Sequence, residues 1–366
     1  MAKLLCEPFV LDPRPAYPLR ITAKRYTLEG IVSRGDVQSA QPGLTLILLH
    51  ATGSHKEVWE VTVQYLLQKA NQENLKIDDV FSIESPSHGE SAVLNEKELH
   101  DLFSDRWPPR EYAKAAHIFL TAGTDKGARV DFSRRRLVGI GHSVGASAMF
   151  LMKELSPTVN FEFFIAIEPG ISLKGNHHTN IASQALTAWT WLRPDVWTSR
   201  KSARKALESS MVHSMWDPRV LDLFVEYGLR THPAAKYDPP FSFNGVTTAS
   251  TKALEAASFR SDELVVDSLQ AYTETTRERA VHIIWGTIND VKSPETRDLL
   301  SDESSGRSPA SVRFVEDAGH LASCIIDYDN DSHQVPSAQS QVVQQKPEAV
   351  ADIILDIIQN KPILKL

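Results

Sequence analysis

The stretch Arg136-Leu137-Val138-Gly139-Ile140-Gly141-His142-Ser143-Val144-Gly145-Ala146-Ser147-Ala148 decides the fold. Leu137 to Ile140 reads as a buried strand, Gly141-His142-Ser143-Val144-Gly145 as a sharp turn, and Val144 onward as a helix. Strand, turn and helix around G-x-S-x-G is the arrangement of a nucleophile elbow. Side chains at 141 and 145 would collide with the neighbouring strand and helix, which is why glycine stands at both. Ser143 is thereby predicted at the tip of the turn, at the top of a sheet. It lies beside the first N–H groups of a helix, which have no partner of their own. Met149, Phe150, Leu151 and Met152 continue the segment as a buried helix.

Outward from the elbow, Leu44–Leu49 is a continuous apolar run, and Phe161–Ile167 is another, broken only by Glu162. Such runs mark strands buried on both faces of a parallel sheet. Further strands are expected around Phe9, at Ile21–Leu28, Val80–Ile83, Ala280–Trp285 and Ser311–Val315. Helical spacing at Val58–Asn71, Arg110–Thr121 and Pro347–Ile358 alternates with them, giving right-handed βαβ units. The fold class expected is therefore α/β, a mostly parallel sheet with helices on both faces. Between Ile171 and Glu278 the alternation stops. Helical stretches at Ala182–Leu192, Ser199–Met211, Val220–Tyr227 and Ser261–Thr273 follow one another there without a strong strand between them. That span also holds four of the seven tryptophans, Trp189, Trp191, Trp197 and Trp216. We expect residues 1–170 and 279–366 to form the core and 171–278 an inserted helical lid that encloses a substrate tail. Cys324–Gln345 reads as a polar loop.

Composition excludes several function classes. With 42% hydrophobic and 23% charged residues the chain reads as an ordinary soluble globular protein. A net charge of −7 weighs against nucleic acid as a partner. The cluster Arg134-Arg135-Arg136 reads as a solvated strand entry. Nowhere do eighteen apolar residues run together, so no membrane span is expected. Met1–Val10 lacks the pattern of a signal peptide. Cys6 and Cys324 form no spacing motif, which points to free thiols in a reducing compartment. The tail Leu364-Lys365-Leu366 resembles an S-K-L peroxisomal address, with Leu where a small residue is expected. The expected location is intracellular, peroxisomal or cytoplasmic. No metal or redox cofactor is implied, since no ligand cluster has suitable spacing and the adjacent His177 and His178 face apart.

A serine hydroxyl needs a base to accept its proton, and the base needs a carboxylate to hold its tautomer. In chains with this elbow the order is Ser, then Asp or Glu, then His after the last strand. His320, preceded by Gly319 and following Ser311–Val315, stands in that slot. Two carboxylates compete for the middle place. Asp290 follows the strand at 280–285, one residue later than usual after Gly286, with Asn289 in the expected position. Glu168 ends the strand that follows the elbow. The loop His50-Ala51-Thr52-Gly53-Ser54-His55-Lys56-Glu57, after Leu44–Leu49, is placed to supply an oxyanion donor. We assign that donor to the Thr52 N–H, with the Val144 N–H as the other.

Four segments together carry a resemblance: His50 to Glu57, Glu84-Ser85-Pro86-Ser87-His88-Gly89-Glu90-Ser91, Gly139 to Gly145, and Ile167-Glu168-Pro169. The chain resembles fungal α/β-hydrolases, many of them peroxisomal and belonging to toxin or secondary-metabolite pathways. The resemblance runs from about Ala23 to Gly170 and again through Gly319-His320. It implies an α/β-hydrolase fold with a lid, and a serine esterase or thioesterase. The substrate implied is a small hydrophobic acyl ester or thioester, acyl-CoA included. In an acyl-CoA hydrolase of this group the triad acid ends the strand after the elbow, which implies Glu168 rather than Asp290, with Glu replacing Asp. The same machinery also serves lactone or carbon–carbon bond hydrolysis and cyclisation, and the same fold serves as a non-catalytic small-molecule receptor.

Overall fold

The computed structural model describes residues 2–30, 42–104, 106–173, 177–210, 212–260, 263–288, 294–319 and 342–360. Its strands are β1 (Leu4–Leu11), β2 (Ile21–Leu28), β3 (Leu44–Leu49), β4 (Ile77–Ile83), β5 (Arg136–His142), β6 (Phe161–Ile167), β7 (Val196–Trp197), β8 (Leu229–Thr231), β9 (Val246–Thr248), β10 (Ala280–Ile288) and β11 (Ser311–Gly319). Its principal helices are α1 (Glu60–Gln72), α2 (Gly89–Leu94), α3 (Glu96–Phe103), α4 (Pro109–Leu120), α5 (Val144–Leu151), α6 (His177–Leu192), α7 (Arg200–Glu208), α8 (Pro218–Tyr227), α9 (Lys252–Phe259), α10 (Glu263–Glu278), α11 (Pro294–Leu299), α12 (Val342–Gln345) and α13 (Pro347–Gln359).

Among the described residues, eight strands form one sheet in the order β1-β2-β4-β3-β5-β6-β10-β11. β1 and β2 run antiparallel, and from β4 through β11 every pairing is parallel. The unbroken apolar run Leu44–Leu49 is buried at every position because β3 lies inside the sheet with helices on both sides. One hydrophobic cluster joins α4, α5 and α10 to one face, with the Phe150 ring 5.7 Å from Phe164 and 5.4 Å from Tyr272. The other joins α1 and α13 to the opposite face through Val63, Leu66, Ile354 and Ile358. Prolines open α4 and α13 at their first turns, where the missing N–H costs nothing.

The register aligns the carboxyl ends of five adjacent strands, β3, β5, β6, β10 and β11. Leu49 pairs with Gly141, His142 with Ile167, Ile284 with Ile167, and Gly286 with Val315. Loops after β3, β5, β6, β10 and β11 therefore leave the sheet along one edge, where ligands bind in open α/β sheets.

Three features differ from the sequence reading. The insertion after β6 contains a small antiparallel sheet, β7-β9-β8, whose strands are two or three residues long and too short to show a period. The helix α10 falls within the expected lid span but packs on the core, with Arg110 Nη2 2.7 Å from Asp267 and Lys153 Nζ 2.7 Å from Glu278. Val342–Gln345, expected as the end of a polar loop, is helical and buried, and Asp217 N–H donates to Gln344 O at 2.9 Å. No helix among the described residues is long and apolar enough to cross a membrane.

The elbow glycines yield a test. A Cβ on Gly145 would lie 2.3 Å from Leu49 O, whereas one on Gly170 would meet backbone no closer than 3.3 Å. Gly145→Ala is expected to destabilise by about 1–3 kcal/mol as an overpacking change, and Gly170→Ala by less. Denaturant unfolding of the two variants beside wild type checks the order, and equal losses would contradict it.

Candidate active site

Ser143 precedes α5 with φ +53° and ψ −118°. A non-glycine residue at positive φ is strained and persists only where its surroundings impose it. Here they do. Ser143 N–H donates to Ile167 O at 2.9 Å, and its carbonyl accepts from Gly170 N–H at 3.1 Å and Ala146 N–H at 3.0 Å. A Cβ on Gly141 would stand 2.4 Å from Ala146 Cα, so both elbow glycines are required by contact. The Ser143 side chain makes no capping bond to its own helix and is half-buried. Val144, the first residue of α5, presents an N–H that a helix leaves unpaired.

Glu168 follows β6 directly, and the pairing of His142 with Ile167 sets it beside Ser143. It is fully buried and also holds positive φ, +47°. Its N–H donates to Ile284 O at 2.9 Å, and its Oε1 accepts the Gly286 N–H at 2.6 Å. The carboxylate is thus clamped across β6 and β10 at the carboxyl edge. Gly286 is glycine because a Cβ there would lie 2.2 Å from Ala318 O. Gly319, the last residue of β11, pairs with Ile288. Asn289, Asp290, His320, Cys324 and the tail Leu364-Lys365-Leu366 lie outside the described residues. Ser143 and Glu168 are therefore brought together, as are the loop bearing Thr52 and the start of α5, since Gly145 abuts Leu49 and His50.

The loop after β3 is shaped by two histidines to which the sequence reading gave no role. His50 N–H donates to Tyr112 Oη at 2.9 Å, and that hydroxyl donates to Ile83 O at 2.8 Å. His50 Nε2 accepts from Ser85 N–H at 3.1 Å, so its proton sits on Nδ1, facing Ala51 O at 2.8 Å. His88 Nε2 accepts from Gly53 N–H at 2.9 Å, with Nδ1 2.9 Å from Ser87 Oγ. Thr52 is held between these two anchors. Each ring must stay neutral to accept a backbone N–H. Burial lowers His50 to about 4, and burial, with help from His50 and Arg193, holds His88 well below its usual value.

Beneath this loop Lys56 is fully enclosed. Its Nζ lies 3.1 Å from Glu57, 3.0 Å from Glu84 and 3.0 Å from Glu90. Glu84 accepts in addition from Lys56 N–H at 3.1 Å, Thr22 Oγ1 at 2.7 Å and Ser91 N–H at 3.0 Å. The readable signal for this cluster was the set of charged and hydroxyl residues in the two loops that follow adjacent strands.

The neutral histidines predict an acid-sensitive fold. An unfolded histidine takes its proton near pH 6.5, whereas folded His50 resists until about pH 4. Between those values the unfolded chain binds more protons, so stability falls as pH falls, by about 1.4 kcal/mol per pH unit for each such histidine. Thermal midpoints measured from pH 7.5 to 4.5 should drop steadily below pH 6.5. His50→Gln should flatten the slope, and an unchanged slope would remove His50 from the account.

Comparison with known proteins follows from this geometry. Residues 46–331 match the alpha/beta hydrolase family model. The type I acyl-CoA thioesterase mpaH of Penicillium roqueforti is 28% identical over 220 residues, 60% of this chain and 46% of that protein. The chain thus spans about half the length of that relative. The abhydrolase domain-containing protein ACTT2 of Alternaria alternata is 25% identical over 235 residues, 61% of this chain and 82% of that protein. The solved structure of the peroxisomal alpha-beta-hydrolase Lpx1 of Saccharomyces cerevisiae shares the fold, with a TM-score of 0.68 at 16% identity over 100% of this chain and 91% of that one. With the family model covering the sheet from β3 onward and the elbow at its centre, the chain belongs to the alpha/beta hydrolase family.

Proposed function

We propose that this protein is a serine hydrolase that cleaves an ester or thioester of a hydrophobic acyl group, acyl-CoA included, through an acyl-enzyme on Ser143. The observation that carries the reading is Ser143, held at positive φ on the strand-to-helix turn with the buried Glu168 carboxylate on the adjoining strand end. In the proposed cycle Ser143 Oγ attacks the carbonyl carbon as its proton passes to His320, oriented by Glu168. The Thr52 and Val144 N–H groups donate to the oxyanion of the tetrahedral intermediate. Collapse breaks the bond to the alcohol or thiol, which leaves with the proton held on His320. Water then attacks the acyl-enzyme by the same route in reverse, freeing Ser143 and the acid. The thioesterase name of the mpaH relative supports the thioester arm, and the peroxisomal name of Lpx1 supports a peroxisomal setting. A role in fungal secondary metabolism rests on the relatives alone.

Release of free thiol from acyl-CoAs of several chain lengths tests the activity. Ser143→Ala is expected to lower it by about a thousandfold or more. Cleavage of aryl esters with no thiol release would leave an esterase and end the thioester reading. Glu168→Gln keeps an oxygen for the Gly286 N–H but cannot hold the imidazole as its charge develops, so kcat should fall by about a hundredfold to ten-thousandfold. A larger loss in Asp290→Asn than in Glu168→Gln would transfer the acid role to Asp290.

A further inference from the structure

Among the described residues the exposed aromatic side chains gather on the insertion: Trp191, Tyr227, Tyr237 and Phe241 lie there, against Phe314 alone in the core. Phe241 is 79% exposed and Tyr237 54%. Apolar side chains scattered singly over a surface need no explanation. These two share one loop, 232–245, which joins β8 to β9, and every residue from Lys236 to Phe241 is exposed.

The loop is firmly built. Thr231 pairs with Val246 at its base, and His232 N–H donates to Gly245 O at 2.9 Å. Inside it Ala235 N–H donates to His232 O at 2.9 Å, and Phe243 N–H to Ala234 O at 3.2 Å. His232 Nδ1 accepts the Ala234 N–H at 3.1 Å. Phe241 N–H donates to Asp238 O at 3.0 Å across the turn Asp238-Pro239-Pro240-Phe241, whose prolines fix φ. The third aromatic of the loop, Phe243, turns inward. Its ring lies 5.1 Å from the His232 ring, and a Cβ on Gly245 would stand 2.3 Å from it. Arg230 Nη1 on β8 lies 3.0 Å from Glu96 on α3 and fastens the hairpin to the core. Tyr237 and Phe241 are therefore displayed outward by a preformed tip, and docking it orders no further chain.

We propose that this tip is a lipid-docking finger whose Tyr237 and Phe241 rings enter the interfacial layer of a zwitterionic phospholipid bilayer. Area selects lipid over protein. A stable protein interface takes about 800 Å² from each partner, and two aromatic side chains supply at most about 500 Å². A narrow tip enters lipid without a matching contour, and aromatic rings settle at headgroup depth. Charge selects the headgroup. Lys236 and Asp238 balance on the tip, and the chain carries a net charge of −7, so an anionic surface offers it no attraction. Lys236 Nζ, 5.5 Å from the Tyr237 ring centre, reaches the phosphate level as that ring enters.

Sedimentation of the full chain with phosphatidylcholine vesicles tests the finger. Wild type should pellet reversibly with the vesicles, and the bound fraction should persist in about 0.5 M salt. The double variant Y237S/F241S should weaken binding by at least about tenfold, with an unchanged thermal midpoint because both rings are exposed. Phe241→Trp should add blue-shifted emission that bromine-labelled lipid chains quench, whereas Phe314→Trp, on β11 of the core, should add none. Failure of wild type to sediment, binding undiminished in the double variant, or an unquenched Phe241→Trp would overturn the proposal. So would binding confined to anionic vesicles and abolished by salt. Self-association without lipid that the double variant abolishes would give the tip to a protein partner and overturn it too. No arm requires catalytic turnover, so its outcome stands apart from that of the hydrolase reading.

Discussion

The first turn of α5 presses against the end of β3, and the site depends on that contact. Gly145 comes so near Leu49 and His50 that a single methyl group would overlap their carbonyls. The helix can start this close to the sheet only if the chain turns sharply out of β5, which places Ser143 at φ +53°. The end of β6 and the residues after it then hold the strained turn, through Ile167 O on the incoming N–H and Gly170 N–H on the carbonyl. Strain at the serine is thus a consequence of packing elsewhere, and the same packing brings the loop after β3 against the helix start.

A second layer of support is polar. Buried ion pairs seldom add net stability, because desolvation offsets most of the attraction. Around Lys56 the gain is geometric instead. Glu84 receives bonds from Thr22 on β2, from the backbone of Lys56 after β3, and from the backbone of Ser91 on α2. One carboxylate therefore fixes three segments relative to each other, and the two loops that flank Thr52 cannot shift independently. Gly89 is part of this arrangement, since it sits at φ +50° and a Cβ would strike Glu84. Loss of either Lys56 or Glu84 leaves the partner charge buried and uncompensated, the costly way to break such a pair.

Much of this was readable in the chain. The elbow, the order of the core strands and helices α1, α4, α5 and α13 followed from apolar runs, helical spacing and two glycines, because each is a local pattern tied to burial. The carboxylate beside the elbow was legible as one of two candidates, and Glu168 lies at the strand end where the resemblance set it. The roles of His50, His88 and Lys56 were not legible. A buried neutral histidine and a surface histidine look alike in sequence, and only pairing of the strands brings His88 to the Gly53 N–H. The strands of the insertion escaped for another reason: at two or three residues they carry no measurable alternation. The helix α10 has the spacing of any amphipathic helix, and its attachment to α5 through Tyr272 and Phe150 is tertiary information.

The insertion is tied to the same scaffold as the loops beneath it. Lys24, which pairs with Glu57 at 3.2 Å, lies 4.1 Å from the centre of the Tyr227 ring at the end of α8. His55, bonded to Glu57 at 3.0 Å, packs its ring 5.9 Å from Phe224 on the same helix. Glu57 therefore links α8 to the network that shapes the loop after β3. Movement of the insertion and the position of the Thr52 N–H are for this reason mechanically joined. An opening that carried α8 away from the core would strip Lys24 and His55 of their aromatic neighbours and expose a cluster of charges now largely shielded from water. The polar network thus ties the position of α8 to the order of the loop after β3.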